Sequence, residues 1–143
     1  MRWIIKKITT VRVKLTTTIR QDNQQESFSF SEDGNFVELN GKYYLRYIEH
    51  QNGQAIPVQF RLDSQVHLHR EGTMRTQLEF DQEKETVTRY RTEYGVICLE
   101  VVTKRLEKDL DPAVPMGHLN VDYVLKTGGQ EVGNYQLQLQ FKA

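Results

Sequence analysis

This sequence has almost no cysteine, little proline and no surplus of either charge, and each shortage removes a class of function. One cysteine in 143 residues, Cys98, excludes an intrachain disulfide framework and fits a reducing compartment. With three prolines and nine glycines, no stretch reads as a linker, repeat or low-complexity segment, so residues 1–143 are expected to form one domain. The 19 basic and 19 acidic residues cancel, and net charge gives no reason to expect a nucleic-acid partner. No run approaches the roughly 20 apolar residues of a spanning helix. Lys6 and Lys7 interrupt the opening apolar run before a signal-peptide core can form, so the expected location is cytoplasmic.

Catalytic signatures are missing as well. The sequence has no phosphate-binding glycine loop, no Gly-x-Ser-x-Gly elbow, no His-Glu-x-x-His and no Cys-x-x-Cys. Three of the four serines, Ser27, Ser29 and Ser31, alternate with Phe28 and Phe30 as the outer face of a strand. Neither enzyme activity nor a cofactor is expected.

What the chain does have is alternation with period two. Val11/Val13/Leu15/Thr17/Ile19 share one face, and the pattern returns at Tyr43/Leu45/Tyr47, Ile56/Val58/Phe60/Leu62, Val66/Leu68, Met74/Thr76/Leu78/Phe80 and Ile97/Leu99/Val101. It returns again at Leu119/Val121/Tyr123/Leu125 and Tyr135/Leu137/Leu139/Phe141. Only Lys104–Asp111, with Leu106 and Leu110 four apart, reads as a helical turn. Asn52-Gly53 predicts a two-residue hairpin pairing Glu49 with Ile56, Tyr47 with Val58 and Leu45 with Phe60. Loops at Asp63–Gln65 and Glu71–Thr73 would set Phe60 opposite Leu68 and Leu68 opposite Thr76. A Tyr94-Gly95 turn would set Tyr90 opposite Leu99. These connections keep one inward face, so the expected fold is all-β: a single antiparallel up-and-down β-barrel of roughly eight to ten strands. In the Phe36–Ile48 hairpin, both faces carry apolar residues and the buried one stays open. Short strands with charged turns argue against a membrane barrel.

Several residues invite a functional reading. His67 and His69 point the same way from one strand, and with His50, His118 or Glu71 they would make a weak metal site. Val66, Leu68 and Arg70 hold the inward face, so an outer polar face is the preferred account. Val96, Cys98 and Val102 form an apolar outward stripe, expected to be covered by a terminal segment or by a second copy in a homodimer. Six basic residues precede the first acid, Asp22, and are read as a strand pairing with Glu26, Glu32 and Asp33. Glu49 and Arg70 are the two charges on the inward face, where an unpaired charge is costly. They form either a structural ion pair, joined by Tyr47 or Tyr94, or the polar anchor of a ligand.

These residues carry a family resemblance. Tyr44-Leu45-x-Tyr47-x-Glu49, Arg70-x-Gly72, Tyr90 with Tyr94-Gly95, Thr103, Asp109-Leu110-Asp111, Gly117-x-Leu119-x-Val121-x-Tyr123 and Asn134 resemble the YwiB-like family of bacterial proteins, a domain-of-unknown-function group. The resemblance implies a calycin-like, lipocalin-like barrel without an established activity, and it carries no catalytic residue. Two functions follow as expectations. One is a non-enzymatic barrel holding a small amphipathic or hydrophobic molecule, with Tyr43, Tyr47, Phe60, Phe80, Tyr90 and Tyr123 as walls and Glu49 and Arg70 as anchors. The other is a solid-core module meeting a protein or RNA through its outer surface and basic first strand.

Overall fold

The structure, a computed structural model, describes residues 6–72 and 75–143. Ten strands follow one another: β1 (Lys6–Gln21), β2 (Gln24–Leu39), β3 (Lys42–Gln51), β4 (Gln54–Leu62) and β5 (Val66–Glu71), then β6 (Arg75–Phe80), β7 (Thr86–Thr92), β8 (Gly95–Asp111), β9 (Met116–Thr127) and β10 (Gln130–Lys142). Their order in the single sheet is β6-β5-β4-β3-β2-β1-β10-β9-β8-β7, all antiparallel where paired. Every neighbour in this order is a neighbour in sequence except β1 and β10. That pairing of first and last strands curls the meander into a nearly closed barrel, the all-β up-and-down architecture expected. The remaining seam lies between β6 and β7, where the Thr86 hydroxyl donates to the Glu79 carbonyl at 2.6 Å.

Turn chemistry sets the registers. Asn52 and Gly53 both have positive φ, and the expected pairs Glu49–Ile56, Tyr47–Val58 and Leu45–Phe60 all form. Leu62–Val66, Phe60–Leu68 and Val58–Arg70 form as well. Two registers differ from expectation by two residues. Leu68 faces Leu78 rather than Thr76, because Glu71 still pairs with Arg75, which moves the three-residue β5–β6 connection one position along the chain. Met74, expected to open the alternating set Met74/Thr76/Leu78/Phe80, lies outside the described residues. Tyr90 faces Ile97 rather than Leu99, because Thr92 pairs with Gly95 and the turn falls on Glu93-Tyr94. A shift of two preserves the face, so the inward set is unchanged.

The helical turn expected at Lys104–Asp111 is instead the second half of β8. Leu106 and Leu110, four apart, share a face in a strand as they do in a helix. A bulge between Thr103 and Arg105 also resets the alternation, so Val101 and Thr103 face inward before it and Leu106 and Leu110 after it.

The core fills the end of the barrel that carries the β2–β3, β4–β5, β6–β7 and β8–β9 connections. Phe60, Phe80, Leu45 and Val66 are fully excluded from solvent, each contributing about 1.5–3 kcal/mol on burial. Phe36 stacks on Tyr43 and Phe141 at 5.5 and 5.2 Å between ring centres, which closes this end with aromatics. The inward-facing Lys108 reaches across it to the carbonyls of Leu62 and Asp63, and burial lowers its pKa. In the Phe36–Ile48 hairpin, Phe36 and Leu45 face the core, while Val37 is buried on the opposite side of the sheet.

Gly34 marks where β2 turns away from β3. A Cβ there would lie 2.7 Å from the Arg46 carbonyl oxygen and 2.9 Å from the Tyr47 Cβ. Gly34→Ala should therefore destabilise the barrel by about 1–3 kcal/mol through overpacking against backbone, read as a lower urea midpoint with an unchanged m-value.

Candidate functional site

At the opposite end, the strands diverge and the interior is hollow. The β2–β3 ladder stops at Gly34–Tyr47, and β8 pairs with β9 only from Glu100 onward. Among the described residues, Gln24–Asp33 of β2 and Gly95–Leu99 of β8 therefore pair on one side only. At the β2–β3 fork, the His50 backbone N–H donates to the Glu32 carboxylate at 3.4 Å instead of to a strand carbonyl. Side chains cannot fill the widened end, and a cavity of about 430 Å³ remains, opening among the β1–β2, β3–β4 and β5–β6 turns. Its walls are mostly apolar, with Leu15, Phe28, Phe30, Ile56, Leu68 and Leu137 among them. The volume falls within the range of small-molecule sites, roughly 300–1,000 Å³.

Two charged residues line the cavity among the described residues, Glu49 and Arg70. β3 and β5 flank β4, and their registers through Ile56 and Val58 place both side chains on the inward face. The Arg70 Nη2 donates to Glu49 Oε2 at 2.5 Å, and the Tyr47 hydroxyl donates to Glu49 Oε1 at 2.9 Å. Glu49 is fully shielded from solvent, whereas the Arg70 side chain is 30% exposed. Burial pushes the Glu49 carboxyl above its ordinary value, against the lowering effect of Arg70 and Tyr47. Burial, reinforced by the Glu49 charge, drives the Tyr47 phenol far above its usual range. Burial also raises Tyr123 and Tyr135, whose rings stack 5.0 Å apart beside the cavity.

The residues expected to form the site divide between two levels of the barrel. Glu49, Arg70, Tyr90 and Tyr123 line the cavity. Phe60 and Phe80 lie in the packed core, with Phe80 tilted against Tyr123 at 4.7 Å. Tyr47 is buried beneath the ion pair and holds it. Tyr43 stacks on Phe36 at the far end. Tyr94, the other tyrosine expected beside the pair, is 92% exposed at the tip of the β7–β8 hairpin and takes no part. Phe28, Phe30 and Tyr135 line the cavity without having been singled out; their inward phase was legible, but the divergence that uncovers them was not.

His67 and His69 sit on the outer face. His67 pairs across the strands with Arg61 and Glu79, and His69 Nε2 lies 3.0 Å from Glu71. His50 contacts Glu32 at 3.3 Å, and no group of three potential metal ligands occurs among the described residues. Val96 and Cys98 are exposed and Val102 half-buried, so no described segment covers the upper part of that stripe. In the basic first strand, Arg12 bonds Asp33 at 3.0 Å and Arg20 bonds Gln25, a cross-strand pattern. No helix among the described residues is long and apolar enough to cross a membrane.

Burial of Glu49 makes stability depend on pH in a defined direction. Because burial raises Glu49 in the folded state, its contribution is full below the unfolded value near 4.5 and is lost as pH rises through the folded one. Glu49→Gln should flatten that slope. Arg70→Leu leaves a buried uncompensated carboxylate and should cost about 3–5 kcal/mol at neutral pH. The loss should shrink as the pH falls and Glu49 takes up a proton, as urea unfolding across a pH series would show.

Comparison with known proteins follows this geometry. A family model described as "Domain of unknown function (DUF1934)" matches residues 13–139. The "Uncharacterized beta-barrel protein YwiB" of Bacillus subtilis (strain 168) is 22% identical over 139 residues, covering 96% of each chain. The solved structure titled "Crystal structure of ywiB protein from Bacillus subtilis" aligns at a TM-score of 0.81 and 20% identity, over 95% of this chain and 92% of that one. That likeness shows a shared fold, and the sequence match runs from the inward residues of β1 to those of β10. The chain therefore belongs to the DUF1934 family of β-barrel domains of unknown function.

Proposed function

We propose that this protein is a non-enzymatic binder of a small amphipathic molecule, held in the open end of the barrel. The observation that carries the reading is the cavity of about 430 Å³, whose mostly apolar walls hold the hydrogen-bonded Glu49–Arg70 pair. Apolar walls with few, fixed polar groups suit recognition of a ligand with an apolar body and one polar end. Among the described residues, no nucleophile is paired with a base at the cavity, which favours holding over chemistry. The hollow end also favours an interior site over a solid-core module. The single free thiol, Cys98, fits a cytoplasmic setting.

Nile red, a neutral apolar fluorophore, tests the reading. The wild-type protein should shift its emission to the blue and saturate at one molecule per chain. Thr17→Trp, at a half-buried cavity position, should fill the space and weaken the signal about tenfold or more without lowering the melting temperature. No blue shift with folded wild-type protein would overturn the proposal.

A further inference from the structure

We propose, resting on that reading, that the ligand's polar end is a carboxylate and that it docks on the free face of Arg70. The two charged groups of the cavity are not equally available. Both Glu49 oxygens are already engaged, one by Arg70 and one by Tyr47, and the residue has no accessible surface. A cationic head group would have to displace one of these bonds to reach it. Arg70 commits one terminal nitrogen to Glu49 and stays 30% exposed at the cavity. A guanidinium has five N–H donors in a planar fork, so the remaining donors face the space a ligand would occupy. Among the described residues, the cavity thus offers charged donors and no accessible charged acceptor.

Desolvation decides between ligand classes. A neutral alkyl ligand would strip water from the exposed part of Arg70 and leave its donors without acceptors, which is costly. A carboxylate replaces that water with charge-assisted, two-pronged hydrogen bonds. Phosphate heads fit the same fork but bring up to two charges beside Glu49, whereas a carboxylate brings one. The raised affinity of Glu49 for a proton helps here, since protonation would remove the repulsion between the two carboxyl groups. Tyr90, Tyr123 and Tyr135 line the same cavity.

Dodecanoate, dodecanol and dodecylammonium, matched in chain length, test the head group by displacement of Nile red below their micelle concentrations. Wild-type protein should bind dodecanoate about tenfold more tightly than dodecanol, with dodecylammonium weakest. Glu49→Gln, which imitates the protonated carboxyl, should tighten dodecanoate about threefold or more while leaving dodecanol unchanged. Arg70→Leu should bind acid and alcohol alike; if it fails to fold, the wild-type and Glu49→Gln comparisons decide. Equal binding of acid and alcohol by wild-type protein would overturn this inference and leave the amphipathic binder standing. Preference for the ammonium would do the same. Failure of all three to displace bound Nile red would overturn both.

Discussion

A carboxylate held inside an apolar barrel is the constraint around which the rest of this structure is arranged. Glu49 is shielded from water yet keeps a charge partner and a hydroxyl donor, so both of its oxygens are satisfied. Such an arrangement is tolerable only if the geometry is fixed, because a buried charge without partners costs several kcal/mol. Three strands must therefore hold one register: β3 supplies Tyr47 and Glu49, β5 supplies Arg70, and β4 spaces them through Ile56 and Val58. The hairpin turns that set these registers are as much part of the site as the side chains are.

The pair also divides the barrel. On one side lie stacked aromatics, a filled core and the cap made by Lys108. On the other, β2 leaves β3 at Gly34, β8 runs on past the end of β9 before Glu100, and the walls no longer meet. Packing in the closed half gives the stability that an open half can draw on. This is the usual relation between a rigid scaffold and a site that must stay accessible. The polarity of the site follows from which partner is better covered: Glu49 is used up internally, and Arg70 is left facing the space.

Much of this was legible before any coordinates. Period two gave the strands, and Asn52-Gly53 gave the β3–β4 register and hence the inward phase of Glu49. The phase of Arg70 followed through the Asp63–Gln65 loop. Errors arose where a local pattern fits two geometries. Leu106 and Leu110 share a face in a helix and in a strand, and the bulge at Lys104 is a response to barrel curvature that no turn residue announces. The β5–β6 and β7–β8 turns lie one residue from their expected positions, which moves each register by two, because their glycines fit more than one turn type. Tyr43 and Phe60 were assigned to the site because phase distinguishes inside from outside but not one end of the barrel from the other.

The sequence by itself determined an all-β meander, its inward face and the placing of Glu49 and Arg70 on it, since alternation and turns are properties of neighbouring residues. Only the tertiary structure decided that β10 closes on β1, that one end is solid and the other hollow, and that Arg70 rather than Glu49 keeps an exposed face at the cavity. These depend on how ten strands diverge and on which side chains cover which, and that is fixed by contacts between residues far apart in the chain.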